Sequence, residues 1–194
     1  MAIYIIFFNS HIKLKKGTGE LGGEMIQEIS YEGYGPAGTA FIIEMATDNL
    51  NRVAADIRLV FSKNGGSVAA PGSVSYQFDR RGEIRVHAAD LPEDRIMDAA
   101  IEAGADDVQS DSEEHVILTA ANELGTVANL LRHSGIHLIS EKLISIPQTP
   151  CVVADIAVAR QVIKLYDLLD AYPDTLNVFT NFEVADELLE SLAS

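Results

Sequence analysis

The sequence predicts an α+β protein made of two mixed α/β domains, the second a ferredoxin-like β-α-β-β-α-β domain inserted into the first. Three observations lead there. Strand-like alternation flanks Gly35-Pro36-Ala37-Gly38 and an amphipathic helix follows. From Gly82 the chain runs strand, helix, strand, strand, helix, strand, the ferredoxin-like order. Beyond Pro147-Gln148-Thr149-Pro150 a long helix and a strand have no partner nearby in sequence. The economical solution returns them to the first sheet. The expected layout is 26–81 plus 147–182 as one discontinuous domain, with 82–146 inserted.

In order along the chain, residues 26–34 alternate Ile26, Glu28, Ser30 against Gln27, Ile29, Tyr31, which suits a strand. Ala40-Phe41-Ile42-Ile43 belongs to a second strand of apolar and aromatic residues. Proline fixes φ and the glycines free the backbone between them, so 35–38 reads as a hairpin turn. Asp48 or Asn49 can cap a helix opening at Leu50, by accepting unpaired N–H groups of its first turn. Leu50, Val53, Ala54, Ile57, Val60 and Phe61 make its buried stripe, and Gly65-Gly66 ends it. Ser73 to Phe78 reads as a strand with Val74, Tyr76 and Phe78 on one face, broken by Arg80-Arg81-Gly82.

In the inserted domain, strands are expected at 83–87, 106–109, 115–119 and 136–146. One helix opens at Pro92 with Ile96, Met97, Ala100 and Ile101 inside. Another runs from Asn122 on Leu124, Val127, Ala128, Leu130 and Leu131. Asp111-Ser112-Glu113-Glu114 is a solvated hairpin connection. After the proline-rich linker, 155–171 forms a helix on Ile156, Val158, Ala159, Val162, Ile163, Leu165, Tyr166 and Leu169. Pro173-Asp174 stops it and 176–180 is a last strand. Residues 182–192 read as a short acidic helix, and 183–194 as an acidic tail.

At 194 residues, 47% hydrophobic and 22% charged, the chain has the make-up of an ordinary globular protein with room for one large or two small domains. A single cysteine, Cys151, excludes an internal disulfide and agrees with a reducing, cytoplasmic compartment; it reads as a small buried or half-buried side chain. The apolar run Ile3-Tyr4-Ile5-Ile6-Phe7-Phe8 is too short to span a bilayer and lacks the flanks of a secretory signal, so it reads as an added strand or a sticky tail, and no membrane partner is expected.

Charge is the strongest bound on function. The chain carries −15, unevenly: +1 over residues 1–25, −2 over 26–80, −8 over 81–145 and −6 over 146–194. Nucleic-acid affinity comes largely from neutralising phosphates, so an acidic body repels the same backbone. Any such contact must use the local basic cluster of the first third, or a missing basic domain. Enzyme signatures are missing. No Gly-x-Ser-x-Gly elbow, P-loop or dinucleotide fingerprint occurs, so no catalytic residue and no cofactor are assigned. His133 and His137 are four apart, but Gly135 intervenes near a helix end, so no metal is assigned. Adjacent acids such as Asp106-Asp107 and Glu113-Glu114 point opposite ways on a strand and make poor acid–base partners.

Tyr31-Glu32-Gly33-Tyr34-Gly35-Pro36-Ala37-Gly38, followed by Thr47-Asp48-Asn49-Leu50-Asn51-Arg52, resembles the signature of the YebC family, also called YebC/PmpR. Members are named probable transcriptional regulators and include the mitochondrial translational activator of cytochrome oxidase. The resemblance covers about Lys15 to the C-terminus and implies the same interrupted first domain. Relatives normally begin with a basic helical domain ending much like Lys15-Lys16-Gly17-Thr18-Gly19-Glu20-Leu21, so 1–25 reads as a remnant of it. Leu50 stands where relatives often place a basic residue, and Val53 where threonine is usual.

The resemblance implies a non-enzymatic regulator of gene expression, contacting RNA or the ribosome in translation or DNA in transcription. An acidic body suits a large mixed RNA–protein partner better than a bare duplex. The candidate contact residues are Tyr31, Tyr34, Asn49, Asn51, Arg52, Arg58, Lys63, Arg80 and Arg81: cations beside hydrogen-bonding amides, with two tyrosines placed to stack on bases. Each arginine has the plainer reading of a surface ion pair with Asp48, Asp56 or Asp79. The competing class is a regulatory or assembly module whose ferredoxin-like domain binds a protein or small molecule.

Overall fold

The computed structural model describes residues 25–188. The expectations for 1–24, the apolar run and the lysine-rich string among them, lie outside the described residues, as does the end of the acidic tail. The fold is α+β. The chain divides into two units, one running up to Gln77 and resuming at Pro147, the other spanning Phe78–Ile146.

The first unit opens with β1 (Gln27–Tyr34) and β2 (Ala40–Thr47), antiparallel in the register Gln27↔Thr47 to Tyr34↔Ala40. Their connection is a single 3-10 turn at Pro36–Gly38. Next come α1 (Leu50–Lys63) and β3 (Ser67–Ala69), which pairs antiparallel with β1. Gly33 on β1 is a close-approach glycine: a Cβ there would sit 2.7 Å from the Phe61 ring of α1. Phe61 in turn meets Phe41 edge-on, centroids 5.9 Å apart.

The second unit contains β4 (Phe78–His87), α2 (Glu93–Ala103), β5 (Asp107–Ser110), β6 (Glu114–Ala120), α3 (Leu124–His133) and β7 (Ser140–Pro147). Its sheet order is β5-β6-β4-β7, the ferredoxin-like arrangement. Ile84, Val86 and Ile117 face Ile96 and Ala100 of α2 and Val127, Ala128 and Leu131 of α3. His115 is buried with both ring nitrogens engaged, Nδ1 with Ser110 Oγ at 2.7 Å and Nε2 with the Leu91 carbonyl at 2.8 Å.

The chain then returns through β8 (Cys151–Val153), α4 (Ile156–Asp170), β9 (Thr175–Thr180) and β10 (Phe182–Val184). β9 joins the edge of the first sheet beside β2, giving the order β3-β1-β2-β9. Asp155 caps α4 by accepting from the N–H groups of Ala157 and Val158. Val162, Leu165 and Leu169 of α4 close the core formed by Phe41, Ile43 and Met45 of β2 with Val53, Ile57 and Phe61 of α1.

Several expectations are corrected. Ser73–Phe78 is not a strand. Glu32 takes the N–H groups of Gly72, Val74 and Ser75, which a ladder would need, and Ser75–Gln77 is a 3-10 turn. The strand instead begins at Phe78 and runs through Arg80-Arg81-Gly82. Gly82 does not break it, because its lack of a side chain lets Thr119 and Leu124 pack against the backbone. Residues 136–139 stand outside β7; Ile136 and Leu138 pack on the second core instead. Residues 182–184 form β10, parallel to β8, rather than a helix, Asp186–Leu188 makes a 3-10 turn, and 189–192 lie outside the described residues. Leu50, Met97, Ile101 and Leu130, expected inside, are exposed.

Candidate nucleic-acid interface

Helix α1 is built to hold its first turn rigidly. The Asn49 side chain accepts from the Arg52 N–H at 3.0 Å, and the Asn49 N–H donates to Thr47 Oγ1 at 3.0 Å. Thr47 Oγ1 donates to Asp174 Oδ2 at 2.8 Å, joining the end of β2 to the turn after α4. The Arg52 guanidinium lies over this junction, 3.0 Å from Asp48 and 2.8 Å from Asp174. Asp174 foremost, with Tyr172 and Asp48, pushes its pKa above the usual arginine value against the opposing effect of desolvation. The specific Thr-Asp-Asn-Leu-Asn-Arg string is thus a local clasp in which the arginine's charge is balanced.

The rest of the helix surface is different. Asn51, Ala55, Arg58, Leu59, Ser62 and Lys63 are exposed along it. Among the described residues neither Arg58 nor Lys63 forms an ion pair. Asp56 lies to the side, accepting from the Tyr172 hydroxyl at 2.7 Å. Burial and that bond to Asp56 push Tyr172 up to about 12. Arg58 lies close enough to Tyr31 to oppose the upward shift that burial gives that phenol. The outer face of α1 therefore displays two uncompensated cations, the half-exposed Leu59 and small or polar side chains, with no carboxylate between the cations.

The remaining candidates are placed otherwise. Tyr31 packs against the first core and is half-buried. Tyr34 donates its hydroxyl to the Ser73 carbonyl at 2.8 Å. Arg80 and Arg81 belong to β4 in the other unit; Arg80 donates to Ser145 Oγ at 3.0 Å and Arg81 pairs with Asp106 at 2.8 Å. The structure groups Asn51, Arg52, Arg58 and Lys63 on one helix, and leaves Arg80 and Arg81 in a separate group.

Sequence reasoning missed Glu32. Its carboxylate is only 8% exposed and accepts from the N–H groups of Gly72 (2.8 Å), Val74 (2.6 Å) and Ser75 (3.0 Å). Burial pushes its pKa up, but the three N–H donors and the Ser75 hydroxyl outweigh it and hold the carboxyl below the ordinary value. The signal was a lone acid in a strand between Tyr31 and Tyr34. The Cys151 thiol is pushed up by burial, with its Sγ 3.7 Å from the Ala37 carbonyl, so it carries no mark of activation. Among the described residues no cluster of His, Cys, Asp or Glu is arranged to hold a metal, and no helix is long and apolar enough to cross a membrane.

Comparison with known proteins places this architecture. The family described as TACO1/YebC second and third domain matches residues 26–182. A probable transcriptional regulatory protein of Akkermansia muciniphila is 57% identical over 181 residues, spanning 92% of this chain and 72% of that one. One of the same description from Desulfotalea psychrophila is 42% identical over 180 residues, spanning 93% and 72%. The crystal structure of a conserved hypothetical protein from Aquifex aeolicus superposes with a TM-score of 0.79 at 40% identity, over 90% of this chain and 72% of that one. With a family match across both units and relatives this similar over most of its length, the chain belongs to the TACO1/YebC family.

Proposed function

We propose that this chain is a non-enzymatic, cytoplasmic regulator of gene expression that works by contacting ribosomal RNA through the outer face of α1. The observation that carries the reading is that Arg58 and Lys63 stand uncompensated on one helix face of a chain with a net charge of −15. A surface of two cations with Asn51, Ser62 and the balanced Arg52 suits phosphate and sugar contact without base readout. An acidic protein cannot hold a bare duplex strongly with so few cations, since the backbone contributes most of that affinity. A folded RNA embedded in basic proteins offers the same phosphates with far less net repulsion. Relatives named probable transcriptional regulatory proteins favour regulation in general, and duplex DNA is the second reading on that ground.

Co-sedimentation with ribosomes at low and moderate salt tests it. With two or three phosphates engaged, raising salt from about 50 to 200 mM weakens binding by roughly 10-fold. Arg58→Ala combined with Lys63→Ala removes most of the bound fraction and flattens that salt dependence, whereas Arg52→Ala changes less because its charge is already balanced. Salt-insensitive binding, or binding unchanged in the Arg58/Lys63 double variant, counts against the proposal. Stronger binding to duplex DNA than to ribosomes moves the assignment to the second reading.

A further inference from the structure

In the second unit, α2 presents an apolar strip that the fold does not cover. Ile96, Ala100 and Ala103 are buried in the core, while Met97 is 39% and Ile101 67% exposed, one helical turn apart. These two side chains continue onto Ala105 and Val108 of the segment entering β5, and together with Asp106 and Asp107 they line an open cleft of about 180 Å³. The acids are not neutralised in equal measure. Asp106 pairs with Arg81, but among the described residues Asp94, Asp98 and Asp107 form no ion pair. Asp107 accepts only neutral donors, the Val108 N–H at 2.9 Å and Gln109 Nε2 at 3.1 Å. Asp94 and Asp98 are exposed on the same helix, three residues before and one after Met97, beside the cleft whose own acids are Asp106 and Asp107.

We infer that this cleft docks a basic protein segment, one carrying an aliphatic side chain between lysines or arginines. The apolar floor would bury that side chain, and the flanking cations would meet Asp94, Asp98 and Asp107. Nucleic acid is excluded as the occupant by the sign of the charge, and an acidic or purely apolar segment would leave the carboxylates unmatched. A second copy of this chain is a poorer match, because with a net charge of −15 it would bring its own acidic body against these carboxylates. The surface is independent of the α1 contact and would persist if that contact failed.

The probe is a labelled 15-residue peptide of alternating leucine and lysine turns, compared with a lysine–serine peptide and a leucine–glutamate peptide of the same length. Titrations followed by fluorescence anisotropy and by amide chemical shifts are expected to show binding of the leucine–lysine peptide alone, with shifts confined to α2 and the start of β5. Ile101→Glu lies on an exposed position and leaves the fold intact, and it weakens binding at least ~10-fold, the loss expected when a well-buried anchor is removed. Asp94→Lys with Asp98→Lys does the same, while Arg58→Ala with Lys63→Ala does not. Equal binding of the lysine–serine peptide overturns the proposal, because charge alone would then explain it. So does binding that survives Ile101→Glu, and so does sedimentation evidence that the chain self-associates through this face and is made monomeric by Ile101→Glu.

Discussion

Replacing Glu32 by glutamine isolates one buried charge with almost no change in shape. In the native protein Oε1 accepts from the Gly72 N–H, and Oε2 from those of Val74 and Ser75. An amide has one oxygen. Turned toward Val74 and Ser75, it leaves its NH₂ facing the Gly72 N–H, so that part-buried bond is lost at a cost of about 1 kcal/mol. The two surviving bonds fall from charge-assisted to neutral strength, a further loss of ~1 kcal/mol or more. Against this, the variant no longer has to desolvate a carboxylate. The net expectation is a destabilisation of about 1–2 kcal/mol at pH 7, expressed as loosening of the loop from Ala70 to Gln77.

The pH dependence has a definite sign. A carboxyl whose folded pKa lies below its unfolded value contributes stability that is fully present above the unfolded pKa and is lost as pH falls through the folded one. Protonated Glu32 offers the same single-acceptor face as glutamine. The gap between native and variant should therefore be largest near neutrality and shrink below about pH 4. Urea unfolding by circular dichroism gives the global difference, since the chain contains no tryptophan. Amide exchange at Val74 and Ser75 gives the local one, and Ile84 in the other unit serves as a control that should not change. A gap under roughly 0.5 kcal/mol at pH 7, or one that persists undiminished at pH 3, would refute the assignment of Glu32 as the clamp of this loop.

The other expectations are briefer. Gly82→Ala forces a Cβ against Thr119 Oγ1 and Leu124, and should lower the melting temperature of the second unit while leaving exchange in the β1–β2 hairpin untouched. Phe61→Ala empties the centre of the first core, with a cost of about 3–5 kcal/mol in urea unfolding. Tyr166 and Tyr172, each pushed up to about 12, should be the last phenols to ionise in an absorbance titration at alkaline pH. Because those two phenols stay neutral in the folded state above the ordinary value of 10.0, stability should fall as pH rises from 10 toward 12, and Tyr172→Phe should remove part of that fall.

The periodic elements were legible because their burial follows local spacing. Val53, Ile57 and Phe61 in α1, and Val162, Leu165 and Leu169 in α4, occupy the faces their intervals predict. The helix and strand after Pro150 have nothing nearby in sequence to pair with, and β9 pairs with β2. What failed was anything decided by contacts distant in sequence. Glu32 lies 40 to 43 residues from the N–H groups it captures, and their capture is what turns Ser73–Gln77 from an apparent strand into a loop. Gly82 looks like a breaker until Thr119 and Leu124 are seen to need the space. β8 and β10 are three residues each, too short for alternation to register, and exist only because each supplies the other's parallel partner.

The candidate site shows why charge must be read by neighbourhood rather than by sum. From the sequence, Arg52 was the most prominent cation, because it sits in the most specific string of the chain. In the structure it is the least available cation on α1, held between Asp48 and Asp174 as a clasp that fixes where the helix starts. Arg58 and Lys63 stand in no recognisable motif, yet they keep their charge exposed because no acid shares their face. The same logic runs in reverse on α2, where among the described residues Asp94 and Asp98 form no ion pair and Asp107, bonded only to neutral donors, lines an apolar cleft. A net charge of −15 averages these surfaces away. The proposed phosphate contact on α1 and the proposed docking cleft on α2 each rest on such a neighbourhood. Arg58/Lys63 and Ile101 variants should then lose different contacts, and a double loss from either alone would show that the two surfaces are not independent.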